Sequence, residues 1–320
     1  MSAPVEGQIR IPAGTVPRRP LGKTGVDVSI LGLGGYHLGI PSEAEALRIV
    51  HAAVDRGLDF MDNCWDYHDG RSEERMGKAL QLLPGGRPKV FLMTKLDGRT
   101  RESAAGQLEQ SLRRLRTDMI DLVQIHEVIR DDDPDRCFAA DGAIRALHDA
   151  RRAGKLRFIG FTGHKHPRIH RKMLDVAGAH AFRFDTVQMP LNALDAHFAS
   201  FEGEILPRLG ADGIGVLGMK PLAAGKAVED GRLAAPECLR YAMSLPVATT
   251  ITGCDSMGAL EQALAVAIDF QPLSDDERAD LLARSRSLAA TGERERFKTS
   301  GEHDGTAQHP HWLEEARVAT

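Results

Sequence analysis

Eight short apolar runs, separated by longer amphipathic ones in a chain of 320 residues, predict an α/β fold consisting of a single (β/α)8 TIM barrel. Three observations carry that expectation. The short runs are apolar throughout rather than alternating, as strands are in a parallel sheet covered on both faces. The stretches between them repeat their apolar residues at helical spacing. A chain of this length is near the largest that one core serves, and a barrel ringed by helices uses it as one domain.

Taken in order, the expected layout is an N-terminal extension over 1–17, the barrel over 18–290, and a C-terminal tail over 291–320 that packs on the barrel. The segment PLGKTGVDVS has a Thr24-Gly25 turn between two short extended pieces, and reads as a β-hairpin closing the barrel floor. Strands are expected at 29–33, 60–62, 90–95, 120–126, 158–162, 186–189, 215–219 and 249–251. The glycines of GLGG, 32–35, read as a tight turn at the first strand's mouth. Ser42 followed by Glu45 predicts a capping box at the first helix. Ala104, Leu108, Leu112 and Leu115 share one helical face, as do Leu260, Leu264 and Ala267. Residues 274–289 read as an extra helix, and the polar run beyond it has Phe297 and Trp312 with which to dock. Six of the runs give way to loop at a polar residue: Asp62, Lys95, His126, Thr162, Gln188 and Lys220. In such a barrel the strand carboxyl ends converge on one mouth, so these six are expected to face a common space.

Composition narrows the function class. Apolar residues make up 42% and charged residues 27%, and the net charge of −4 comes from interspersed acids and bases. With no basic stripe, nucleic acid is not an expected partner. No stretch reaches the roughly 18 consecutive apolar residues of a membrane helix, and the start MSAPVEGQIRIPAG holds no apolar run, so a cytoplasmic protein with no membrane partner is expected. Arg18 and Arg19 read as solvated. Cys64, Cys137, Cys238 and Cys254 show no CxxC spacing, which fits a reduced compartment. The histidines of HKHPRIH, 164–170, invite a metal but lack a carboxylate or cysteine framework, so no metal is expected. A monomer or small homo-oligomer is the expected assembly.

Chemistry enters at GLDFMDNCWDYHDGRSEERMG, residues 57–77. An Asp ending a strand, a Tyr in the loop after it, then Ser-Glu and Gly on the next helix resemble the aldo-keto reductase family, and Asp62, Tyr67, Ser72, Glu73 and Gly77 fall in those places. KVFLMTK supplies Lys95 where the family has its active-site lysine, and DMIDLVQIH supplies His126 where it has its histidine. The resemblance spans roughly residues 18–270. It implies an NAD(P)H-dependent oxidoreductase that reduces an aldehyde or ketone to an alcohol, with Asp62, Tyr67, Lys95 and His126 as catalytic tetrad.

The residue types suit that chemistry on their own terms. Carbonyl reduction needs hydride at carbon and a proton at oxygen, and a phenol with an ordinary pKa of about 10 still holds its proton at neutral pH. An ammonium beside the phenol favours proton release, which is the role expected of Lys95. A carboxylate must keep a buried lysine charged, the role expected of Asp62. The imidazole of His126 is expected to donate to the carbonyl oxygen.

The resemblance also implies the cofactor contacts. Thr162 stands in the serine position that holds the nicotinamide amide, with Gly163 where an asparagine is usual, and Gln188 matches the second amide contact. Met219 replaces an aromatic that stacks on the nicotinamide; a thioether also covers a ring face. Lys220, with Pro221 and Leu222 beside it, is placed to reach the pyrophosphate. Gly253, Cys254, Asp255 and Ser256, with Gln262 on the following helix, resemble the phosphate and adenosine site. Family habit favours NADP(H). Asp255 would repel a 2′-phosphate and leans toward NAD(H), the alternative.

The pocket is expected to include Tyr36, His37, Trp65, His68 and Glu127. With aromatics at 5%, a polar small-molecule carbonyl, such as a sugar or hydroxylated aldehyde, is the expected substrate. Two rival readings are a cofactor-binding regulatory or sensor subunit with little turnover, and a Schiff-base aldolase using Lys95 or Lys220.

Overall fold

The computed structural model describes residues 14–314; residues 1–13 of the expected extension and 315–320 of the expected tail lie outside the described part. Strands β1 (Arg18–Pro20) and β2 (Asp27–Ser29) form the antiparallel hairpin, with Arg19 opposite Val28. Eight parallel strands follow: β3 (Leu31–Gly34), β4 (Phe60–Met61), β5 (Phe91–Leu96), β6 (Ile120–Ile125), β7 (Leu156–Thr162), β8 (Thr186–Pro190), β9 (Gly215–Met219) and β10 (Thr249–Gly253). Each pairs with its neighbour in sequence, and β10 pairs with both β9 and β3, closing the barrel.

The barrel has two apolar layers. Inside, Phe60, Phe91, Met93, Leu122, Leu217 and Ile251 pack together, and Leu21 and Val28 of the hairpin plug them from below. Outside, helices at Glu43–Asp55, Arg71–Leu82, Arg101–Leu115, Ala143–Arg152, Pro167–Ala179, Ala235–Ser244 and Met257–Ile268 set Ile49, Leu80, Leu108, Leu147, Met173, Leu239 and Leu260 against the strands. One glycine is a condition of this ring. A Cβ on Gly77 would stand 2.3 Å from the Arg114 carbonyl oxygen, so only glycine lets those two helices approach so closely.

Several expectations change. The Ser42 hydroxyl accepts from the Glu45 amide, but the Glu45 carboxylate turns to the Met257 amide, so only half of a capping box forms. Arg18 and Arg19 are not merely solvated: Arg18 pairs with Asp59, and Arg19 donates to the carbonyls of Met243 and Val247 at 2.9 and 3.1 Å. The extra helix runs Asp275–Ala289 behind a full capping box of Ser274 and Glu277.

Residues after that helix cross back over the barrel mouth. Lys298 is buried between Asp195 Oδ1 (2.6 Å) and Glu295 Oε2 (2.9 Å), and burial pushes the Asp195 carboxyl up to about 7. Farther along, Trp312 meets Trp65 edge to face at 5.9 Å, and its carbonyl accepts from Gln107 at 2.8 Å. Buried charges and aromatics thus fasten the tail at both ends.

Candidate active site

The strand carboxyl ends enclose a cavity of about 630 Å³, and all six polar strand-end residues, Asp62, Lys95, His126, Thr162, Gln188 and Lys220, line it. Asp62 directly follows β4, its amide donating to the Leu33 carbonyl at 2.9 Å. Tyr67 opens a tight turn in which His68 and Asp69 take φ of 53° and 57°. That bend returns the phenol over the strand ends.

Lys95 Nζ donates to Asp62 Oδ1 at 2.5 Å, to the Asn63 carbonyl at 2.7 Å and to the Tyr67 hydroxyl at 3.2 Å. One buried ammonium thus joins carboxylate to phenol. Burial raises the Asp62 carboxyl, with Lys95 pulling against it. Burial, reinforced by Asp62, Cys64, Asp66 and Glu127, pushes the Tyr67 phenol well above its ordinary value. The field at the phenol therefore opposes the easier proton release expected from the ammonium alone.

His126 is held on one side. Its Nδ1 lies 2.8 Å from Asp97 Oδ1 and 3.2 Å from Cys64 Sγ, which leaves Nε2 for the cavity. Cys64, Asp66, Asp97 and His126 bring four donor atoms within 4.8 Å of one another. Burial and then Asp97 push the Asp66 carboxyl up to about 7. Behind it, buried Arg99 donates to the carbonyls of Asp97, His126 and Glu127, at 2.7, 2.8 and 2.8 Å, and to Asp133 Oδ1 at 2.9 Å. That grip holds Glu127 at a φ of 45°.

The other expected residues divide. Tyr36, His37, Glu127, Met219, Pro221, Leu222 and Gly253 line the cavity. Two of the expected pocket residues lie off the cavity lining. Trp65 is buried, donates to Gln110 Oε1 at 3.0 Å and packs on Trp312, so it supports the tail. His68 bonds the Tyr36 carbonyl at 2.9 Å and braces that ring from outside the cavity. Glu127 does face the cavity, but both its oxygens accept from the tail, at 3.0 Å from the Gly305 amide and 2.7 Å from that of Thr306. It holds the roof rather than reaching a ligand.

Gly163 stands off the cavity. A Cβ there would meet the Val128 carbonyl oxygen at 2.4 Å, which leaves no room for an asparagine. His164 lines the cavity instead, its Nε2 3.0 Å from Asp304 Oδ1. Around the last strand the walls end at Gly253. Cys254 is buried, so its thiol offers nothing to a ligand; Asp255 is exposed, Ser256 caps the helix through the Ala259 amide, and Gln262 is half-buried on that helix.

Sequence reading missed Asp97 and Arg99, and although it expected the tail to pack on the barrel it did not place the tail in the cavity wall. Glu302, His303, Gln308, His309 and Trp312 form the far wall of the cavity. The polar run DGRT straight after β5 was the available signal for the first two.

Several known proteins resemble this chain. An aldo-keto reductase of Alternaria alternata is 29% identical over 256 residues, covering 68% of this chain and 67% of that protein. L-Galactose dehydrogenase of Arabidopsis thaliana is 26% identical over 305 residues, 81% of this chain and 90% of that protein. The solved structure of an aldo-keto reductase from Bacillus halodurans in its holo form superposes with a TM-score of 0.71 at 25% identity, covering 88% of this chain and 99% of that one. The aldo/keto reductase family model matches residues 30–237. With the closed barrel and the joined carboxylate, lysine and phenol at its mouth, this places the chain in the aldo/keto reductase family of NAD(P)H-dependent oxidoreductases.

Proposed function

We propose that the chain reduces a polar aldehyde or ketone to an alcohol, with Tyr67 delivering the proton to the carbonyl oxygen. The observation that carries this is the Lys95 ammonium, 2.5 Å from Asp62 and 3.2 Å from the Tyr67 hydroxyl, beside a cavity open to a ligand. A nicotinamide cofactor, when bound, supplies the hydride. The residues fit it: Gln188 Oε1 is buried without a hydrogen-bond partner and lines the cavity, as an acceptor waiting for a carboxamide N–H would. Thr162 and the Met219 thioether, 4.0 Å apart, would frame the ring.

Tyr67 holds its proton through binding because its surroundings disfavour phenolate. An alkoxide is more basic than a phenolate, so charge growing on the carbonyl oxygen draws the proton across. Lys95 then faces the new phenolate and steadies it, while Asp62 keeps that lysine charged and aimed. His126 orients the carbonyl through Nε2.

NADP(H) is the expected cofactor on family habit, with NAD(H) its rival because Asp255 stands exposed at the turn that would receive a 2′-phosphate. Asp255→Arg should raise the NADPH to NADH ratio of kcat/KM about tenfold or more; an unchanged ratio places the 2′ site elsewhere. Likeness to a galactose dehydrogenase supports a hydroxylated substrate. The deciding experiment is Tyr67→Phe. It should cut aldehyde reduction at least about a hundredfold while the NADPH dissociation constant, read by fluorescence, stays within a few-fold. Parent-rate turnover by the variant would remove Tyr67 from the acid role. Lys95, already bonded to three groups, is poorly placed as a Schiff-base nucleophile. Tight NADPH binding with no turnover of any carbonyl would favour the sensor reading.

A further inference from the structure

We propose that Lys220 is an anion-binding group at the substrate end of the cavity, and that the anion it takes is a carboxylate carried by the carbonyl substrate. The inference deepens the reductase reading and rests on it for the identity of the reacting group.

Lys220 follows β9 with a φ of 54°, in the left-handed region that side chains with a Cβ avoid. The conformation is kept by bonds to its own carbonyl, from the Ala223 amide at 2.8 Å and Asn192 Nδ2 at 3.3 Å. Strained backbone of this kind clusters at functional sites, although Ala223 and Ala224 beside it share the positive φ. Here the side chain is aimed into the cavity, where the half-buried ammonium stands 5.3 Å from the centre of the Phe297 ring.

Among the described residues nothing pairs with that ammonium. Of the other carboxylates at the cavity, Asp66 lies 3.6 Å from His126 and does not act on Lys220, and the rest are committed elsewhere. Asp62 holds Lys95. Glu127 receives the amides of Gly305 and Thr306. Asp304 holds His164 and Lys165, and Glu302 holds Arg296 at 2.6 Å. Lys95, His37, His164 and His303 add no acceptor charge. An uncompensated cation in a partly dry cleft costs stability, and burial depresses Lys220 to about 8, with Glu127 raising it and Lys95 and Asp62 acting in opposite senses. An incoming carboxylate would reverse that penalty and gain a charge-assisted bond.

The source of the anion follows from the neighbours. The charges that act on Lys220 are Asp62, Lys95 and Glu127, at the tetrad, and its own field reaches His164 and His303 beneath the tail as well as His37, on which Asp255 also acts. Asp255, on the turn expected to take phosphate, is not among the charges that shift it. A carboxylate on a small carbonyl compound therefore meets this ammonium while its C=O faces Tyr67.

The test uses the full chain with glyoxylate and succinic semialdehyde, each against its methyl ester. The parent should favour the better acid over its ester about tenfold or more in kcat/KM, mainly through KM. Lys220→Met should bring that ratio near unity, and Lys220→Arg should restore part of it. Succinate, titrated calorimetrically against parent and K220M, reads the same subsite without turnover and should lose about tenfold in affinity. A parent that prefers esters, or a ratio that survives K220M, overturns the inference and leaves the reductase reading standing. So does a tenfold loss of NADPH affinity in K220M with the ratio intact, which would assign the ammonium to the cofactor's diphosphate. Borohydride trapping of an aldehyde on Lys220 would overturn it as well. If neither acid nor ester turns over but succinate still binds through Lys220, the anion subsite stands and the reductase reading falls.

Discussion

The partner chosen by one nitrogen of His126 decides what the other can do. A neutral ring whose Nδ1–H faces Asp97 offers only a lone pair at Nε2, and in that tautomer only the imidazolium can donate to a carbonyl oxygen. Burial holds this imidazole below its ordinary value, against the pull of Asp66 and Glu127 and with Lys95 and Arg99 adding to the depression. The donor form therefore grows as pH falls, and kcat for reduction should rise on acidification until the folded value is passed. Asp97→Asn removes the anchoring carboxylate and should lower kcat about tenfold while moving that rise to still lower pH. An unchanged pH profile would make the pair a packing feature only. Lys220 sets a second limb. Because burial lowers its ammonium to about 8, preference for a carboxylate-bearing substrate should fade in kcat/KM above that pH. Asp62, Tyr67, Lys95 and His126 were legible in the chain because each closes or follows a strand-like run. Asp97 and Arg99 were not, because their meaning lies in contacts with residues such as Leu313, whose carbonyl takes the Arg99 amide across more than two hundred positions.

Among the elements, the tail departs furthest from expectation. Phe297 and Trp312 announced that it would dock, but no local pattern says that it docks over the mouth, since that depends on Glu127 capturing two amides and Trp65 facing Trp312. The strands, by contrast, appeared within about two residues of their expected ends, because apolar runs bounded by turns are local signals. Glu127 gives the tail a pH response. Burial works to raise its carboxyl, but His126, His164 and the Thr306 amide outweigh that and hold it below the ordinary range. A depressed carboxyl contributes fully above its unfolded value and loses the contribution as pH falls through the folded one, so the tail should loosen below about pH 4. Glu127→Ala should loosen it at neutral pH as well, seen as faster proteolytic clipping after residue 290 and a several-fold higher KM with a smaller change in kcat. Unaltered clipping would show that the lysine and tryptophan anchors suffice.

For the whole molecule, stability rests on a ring in which each helix has a fixed seat. Gly77→Ala pushes a methyl group into the Arg114 backbone and should cost about 1–3 kcal/mol, measured by denaturant unfolding. A cost near zero would mean that the two helices slide apart freely. Ring and roof nonetheless differ in kind. The ring is built from neighbours in sequence, whereas the roof joins Glu127 to residues 178 and 179 positions away. Contacts of such reach are entropically costly to form and give way earliest when local order frays. Any discrimination among substrates imposed by the roof should then decay on warming before the proposed proton delivery beneath it fails, leaving a warm protein that is still quick but no longer choosy.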